Sequence, residues 1–163
     1  MRIAVLLFVA ALVLPAQFNY RRAPGFALMD PIQGKWHDLA DYRGKVVILD
    51  VMRTDCPKCQ ELTGILEQIK AKYTDKIQVL SVVTMPDDLP KVKAYIAKHN
   101  VTSPVLFDCG QMIASYMQVG PKNPSIHLPA VFVIDKSGMI RRQIDDTDVT
   151  TTNVLGAIEA ALR

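Results

Sequence analysis

The sequence predicts an α/β fold, a central mixed sheet flanked by helices. Two observations carry that expectation. Apolar runs of strand length alternate along the chain with stretches whose apolar residues recur every three or four positions, the pattern of strands exchanging with amphipathic helices. Near the end, Lys136-Ser137-Gly138 makes a tight turn between two apolar runs. An antiparallel hairpin therefore joins a sheet whose earlier strands are separated by helices and run parallel.

The elements follow in order. Pro24 to Asp41 reads as irregular chain with a hairpin around Gln33-Gly34-Lys35. Gly44-Lys45 opens a strand over Val46–Val51 (VVILDV), whose continuous apolar character suits a central strand covered on both faces. A helix is predicted from Pro57 to Tyr73, because Leu62, Ile65, Leu66, Ile69 and Tyr73 form one stripe. Pro57 falls at the first helical position, where its missing N–H costs nothing. A strand over Ile77–Val83 precedes a helix over Leu89–His99, announced by Pro86-Asp87-Asp88. A short strand over Val105–Phe107 precedes a helix over Gln111–Val119. Gly120 to His127 is a loop rich in Pro and Asn. The hairpin strands are Val131–Ile134 and Met139–Ile144, the second forming the sheet edge. The last helix, Asn153–Leu162, carries Val154, Leu155, Ile158 and Leu162 on one side.

Composition bounds the function. The chain has 163 residues, half of them hydrophobic, which fits one domain with a core that does not depend on disulfides. Three cysteines are too few for a disulfide scaffold, so cysteine here reads first as chemistry. The net charge of +3 comes from 19 basic and 16 acidic residues without a dense basic run. No electrostatic footprint for nucleic acid is present, and a monomer is expected.

The N-terminus differs in character. Arg2 is followed by an unbroken apolar run, Ile3–Leu14, then Pro15-Ala16 and polar Gln17. That is the layout of a secretory signal peptide, and the run is short for a bilayer span, which needs about 20 residues. Residues 1–16 are expected to be a signal peptide or an uncleaved anchor. Residues 17–163 are expected to form the folded domain outside the cytoplasm, in the periplasm or cell envelope.

Cys56-Pro57-Lys58-Cys59 is the sharpest feature, sitting where a buried strand turns into a helix. A cysteine at a helix N-terminus lies beside unpaired N–H groups and the positive end of the dipole, so its thiolate is favoured. Lys58 adds a positive charge. Cys59 lies one turn on, close enough to close a short disulfide, which places an attacking and a resolving sulfur together. Half of a zinc site would need a second ligand pair that the sequence lacks. A purely structural disulfide has no need of the activating helix end.

The stretch from Asp41 through Gly44-Lys45 to Asp50, the CPKC motif, and Leu128-Pro129-Ala130-Val131 running on to Asp135-Lys136-Ser137-Gly138 resemble the thioredoxin-like redoxins. The likeness is to the exported TlpA/ResA-type thiol–disulfide oxidoreductases and their alkyl-hydroperoxide-reductase/thiol-specific-antioxidant relatives. It implies a thioredoxin-like fold, with Cys56 as nucleophile, Cys59 as resolving cysteine and no cofactor beyond their redox-active disulfide. Pro129 then matches the proline that follows a cis peptide bond and faces the dithiol. Asp50, six residues before Cys56, matches the buried carboxylate that exchanges protons with the resolving cysteine. Its physical logic also stands alone, since a carboxylate inside an apolar strand has a raised pKa, suited to proton transfer near neutral pH. The plainer alternative for Asp50 is a strand-end carboxylate bonded to backbone.

This chain departs from the family pattern at several positions. Asp55 replaces the tryptophan usual before the first cysteine, and its charge opposes the thiolate. Where the family helix often has Glu and Pro, this chain has Leu62 and Gly64, with Glu61 one place early. The loop Pro121 to His127 is longer than usual. His127 is expected near the dithiol as a modulating residue, though a plain loop histidine is the simpler reading. Cys109, expected to start a helix after Asp108, reads as a partly buried unpaired cysteine. Asp145-Asp146-Thr147-Asp148 reads as a solvated turn.

The resulting expectation is an exported oxidoreductase that reduces protein disulfides, drawing electrons from a membrane protein, with cytochrome c maturation or thiol repair as natural roles. Two other classes compete. A thiol peroxidase would want Thr or Ser three residues before the reactive cysteine, and Thr54 is two before. A copper-binding assembly protein would use Cys56, Cys59 and His127, since soft thiolates suit Cu(I).

Overall fold

The computed structural model describes residues 20–163. Residues 1–16, expected to be a signal peptide or an N-terminal anchor, lie outside them. The described strands are β1 (Arg21–Arg22), β2 (Ala27–Asp30), β3 (Lys35–Asp38), β4 (Val46–Val51), β5 (Ile77–Val83), β6 (Val105–Phe107), β7 (Ala130–Ile134) and β8 (Met139–Ile144). The helices are α1 (Pro57–Tyr73), α2 (Leu89–His99), α3 (Gln111–Tyr116) and α4 (Thr151–Leu162). They form one mixed sheet in the order β1-β8-β7-β4-β5-β6-β2-β3.

The centre of the sheet follows the hydrophobic pattern. β4 is buried at every residue, with β5 parallel on one side and β7 antiparallel on the other. On one face, Leu62, Leu66 and Ile69 of α1 and Val154 and Ile158 of α4 pack on Val46, Ile48, Val79, Val131 and Val133. The opposite face buries Leu49, Leu80, Leu106, Tyr116 and Phe132. Each fully buried side chain of this size contributes about 2 kcal/mol.

The structure corrects four expectations at the periphery. Pro24 to Asp41 is more regular than expected: the hairpin around Gln33-Gly34-Lys35 is present, and its arms β2 and β3 pair in register at one sheet edge. The buried Asp30 carboxylate accepts from the N–H groups of Ile32 and Gln33, and Gly34 takes a φ of +65° to close the turn. β8 is not an edge strand, because β1 pairs antiparallel along it. α3 stops at Tyr116 rather than Val119, and Gln118 has a left-handed φ of 52°. α4 begins at Thr151, two residues early, because Thr150 caps it by accepting the Asn153 N–H at 3.1 Å.

Parallel pairing of β4 with β5 and antiparallel pairing with β7 set the position of the functional end. The C-terminal ends of β4 and β5 and the start of β7 emerge at the same edge, with Val51 opposite both Val82 and Ala130. The CPKC motif and the Leu128-Pro129 segment therefore meet there.

Candidate active site

Cys56 is the N-cap of α1. Its sulfur accepts the Cys59 N–H at 3.2 Å, one of the orphan donors of the first turn. Cys56 and Cys59 are joined in a disulfide, with Cα atoms 5.2 Å apart. The two sulfurs are not equivalent: Cys56 is partly buried, whereas Cys59 is 0% exposed. An incoming partner can reach only the first.

The Leu128–Pro129 peptide bond is cis, and the Leu128 carbonyl oxygen lies 4.0 Å from Cys56 Sγ. Pro129 is buried at the start of β7, so its segment forms a wall beside the dithiol. A second cis bond, Met85–Pro86, follows β5 at the same sheet edge.

Asp50 is 0% exposed within β4. Its Oδ2 accepts from the Ser81 hydroxyl at 3.4 Å, and its Oδ1 has no partner. The carboxylate is therefore not tied to backbone as a strand-end residue would be. Loss of hydration pushes its pKa up to about 7, only partly offset by the Ser81 hydrogen bond.

Beneath the dithiol, Cys59 packs in an apolar cluster with Met52, Val83, Val92 and Tyr95. The Thr63 hydroxyl donates to the Cys59 carbonyl at 3.0 Å, so it accepts from the Tyr95 hydroxyl, 2.5 Å away. Burial holds the Tyr95 phenol up at about 12, so it serves there as a donor.

The modulating residues are arranged less directly than their spacing suggests. Asp55 pairs with Arg53 at 2.5 Å, so its charge beside Cys56 is balanced by a neighbour that sequence reasoning passed over. Lys58 extends to the Asp146 carbonyl oxygen at 3.3 Å. His127 is exposed and lines a cleft of 440 Å³ with Asn123, Ser125, Gln143, Asp145 and Asp146. Cys109 is exposed rather than partly buried, and α3 starts two residues after it. Asp108 caps that helix by accepting the N–H groups of Met112 and Ile113.

Sequence reasoning missed Asp87. It is buried, and its two oxygens receive the N–H and the hydroxyl of Thr54. The Thr54 hydroxyl, which a peroxidase would aim at its reactive sulfur, is committed to Asp87. Among the described residues, no group of three or more His, Cys, Asp or Glu is arranged to hold a metal ion.

Comparison with known proteins places this geometry in context. The model of the AhpC/TSA family matches residues 20–143. The thiol-disulfide oxidoreductase ResA of Bacillus thuringiensis is 31% identical over 125 residues, covering 76% of this chain and 68% of that protein. The thioredoxin-like protein YneN of Bacillus subtilis is 26% identical over 123 residues, covering 74% of this chain and 68% of that one. A crystal structure of a thioredoxin-family thiol:disulfide interchange protein from Chlorobium tepidum superposes with a TM-score of 0.75 at 22% identity, covering 87% of this chain and 96% of that chain, and shares the fold.

Proposed function

The chain belongs to the AhpC/TSA family, and from that premise we propose that it is exported and reduces disulfides in other proteins through Cys56 and Cys59. It is a thiol–disulfide oxidoreductase of the ResA type with a CxxC pair. The observation that carries the exchange mechanism is the inequality of the two sulfurs: Cys56 is reachable at a helix N-terminus, and Cys59 is wholly buried.

In the reduced protein the Cys56 thiolate attacks one sulfur of a substrate disulfide and displaces the other as a thiolate. Its negative charge is held by the Cys59 N–H and the end of α1. The substrate lies as extended chain along the Leu128–Pro129 segment, within reach of the Leu128 carbonyl. Cys59 then gives its proton to Asp50, and its thiolate attacks Cys56 Sγ. The substrate leaves with two thiols, and the Cys56–Cys59 disulfide carries the oxidising equivalents. An acid with a pKa of about 7 is matched to accept that proton near neutral pH.

A second dithiol must reset the disulfide. A membrane protein is the natural donor for a domain outside the cytoplasm, and the Arg2, Ile3–Leu14, Ala16 layout supports export. Among the described residues no helix is long and apolar enough to cross a membrane. Cytochrome c maturation and thiol repair are the roles this chemistry fits.

Mixing the reduced protein with insulin tests the reading. Insulin chains are expected to separate while Cys56 and Cys59 become disulfide-bonded in equal amount, followed by mass after thiol capping. Insulin left intact while the dithiol stays reduced would refute it.

A further inference from the structure

Taking Cys56 as the attacking sulfur, as proposed above, we propose that Asp87 is a positioning residue, which acts through Thr54 to hold Cys56 at the N-terminus of α1. Thr54 is the second residue of the turn that delivers the cysteine, closed by the Cys56 N–H donating to the Arg53 carbonyl at 3.3 Å. Every polar group of Thr54 is engaged. Its N–H donates to Asp87 Oδ2 at 3.0 Å, its hydroxyl to Asp87 Oδ1 at 2.5 Å, and its carbonyl accepts from Gln60 Nε2 at 2.9 Å. Both partners are buried, Thr54 at 9% and Asp87 at 7% exposure, so water does not replace these bonds.

Asp87 is itself well anchored. Its N–H donates to the Thr84 carbonyl at 3.1 Å, just past β5, and Asp88 beside it caps α2. The carboxylate thus ties the turn before the dithiol to the frame of β5 and α2. Two bonds to one residue fix its rotation as well as its position. Two residues later, that rotation decides whether the Cys56 sulfur lies against the Cys59 N–H.

The expected consequence has a sign. Releasing Thr54 loosens the turn, the thiolate loses the Cys59 N–H, and the Cys56 pKa rises. A carboxylate acting only by its charge does the opposite: removing it favours the thiolate and lowers the pKa. Losing one hydrogen bond to an ionised acceptor amounts to about one pH unit. The thiolate is then about tenfold scarcer at neutral pH. Its higher nucleophilicity offsets part of that, so exchange slows about threefold.

Three variants separate these effects. Thr54→Val removes the hydroxyl and keeps the Asp87 charge. Asp87→Asn removes the charge and keeps the clamp, since its carbonyl accepts from the Thr54 N–H and its amide donates to the hydroxyl oxygen. Asp87→Ala removes both. The reduced full-length proteins are titrated by ultraviolet thiolate absorbance, and their exchange rates with insulin are measured alongside. Thr54→Val and Asp87→Ala are expected to raise the Cys56 pKa by about one unit, with Asp87→Asn close to wild type. An unshifted Thr54→Val, an Asp87→Asn that raises the pKa as much as Asp87→Ala, or a fall in pKa in Thr54→Val or Asp87→Ala would overturn the proposal. Thr54→Val and Asp87→Asn decide it even if Asp87→Ala does not fold. The titration needs no substrate, so a wild-type protein inert toward insulin would count against the functional reading and leave the clamp result standing.

Discussion

Asp50→Asn is expected to make the oxidised protein about 4 kcal/mol more stable than wild type at pH 8, and no different below about pH 4. The sign follows from the raised pKa. Burial lifts the Asp50 carboxyl from 3.8 to about 7 in the folded state. Between those values the native protein binds a proton that the unfolded chain has released. Its contribution to stability is complete below the unfolded value, declines as pH rises toward about 7, and stays lost above it. Asparagine fills the same space without a charge to bury, so its stability carries no such decline. Denaturant unfolding at pH 4 and pH 8 measures both ends. Equal stability of the two proteins at pH 8 would mean that Asp50 does not carry a buried charge there. The same substitution removes the proton acceptor proposed for Cys59, so resolution of the mixed disulfide is expected to slow by about a hundredfold at pH 7 and to lose its inflection near neutral pH.

Cys59→Ser is expected to abolish turnover, with a loss of at least about a thousandfold, while Cys56 still attacks. The variant should accumulate a mixed disulfide with insulin through Cys56, because no second sulfur remains to release it. Cys56→Ser should lose turnover equally and trap nothing, since Cys59 is fully buried and cannot be reached by a protein disulfide. The two outcomes are read by mass under non-reducing conditions. An adduct on Cys59 in Cys56→Ser would reverse the assigned roles. Exposed Cys109 offers an internal control, because its replacement should leave both patterns unchanged.

Much of the centre was legible in the sequence. Val46–Val51 is apolar on both faces because β5 and β7 flank it and helices cover it, and a continuous hydrophobic run records that directly. The α1 stripe and the CPKC position at its start were equally local signals. The periphery was less legible. β2 and β3 are four residues each and mostly exposed, so their hydrophobic alternation is weak, and the turn between them is set by one buried carboxylate, Asp30. β1 consists of Arg21 and Arg22 and exists only because β8 offers it an edge.

The site divides the same way. Asp50 showed itself as a charge inside an apolar strand. Asp87 did not, because it stands in a loop of acidic and proline residues that reads as a helix start, and its partner Thr54 lies 33 positions away. Nothing local distinguishes it from Asp88, which does cap α2. Asp55 illustrates a milder failure: the compensating Arg53 stood two residues upstream, in plain view of a search for paired charges.

A redox titration of the full protein against defined thiol–disulfide buffers, following the Cys56–Cys59 bond by mass after capping, tests the direction of electron flow most directly. A midpoint at about −230 mV or below is the expected result, making the reduced protein a reductant that needs a dedicated donor. A midpoint near about −120 mV would make it an oxidant and contradict the proposed function.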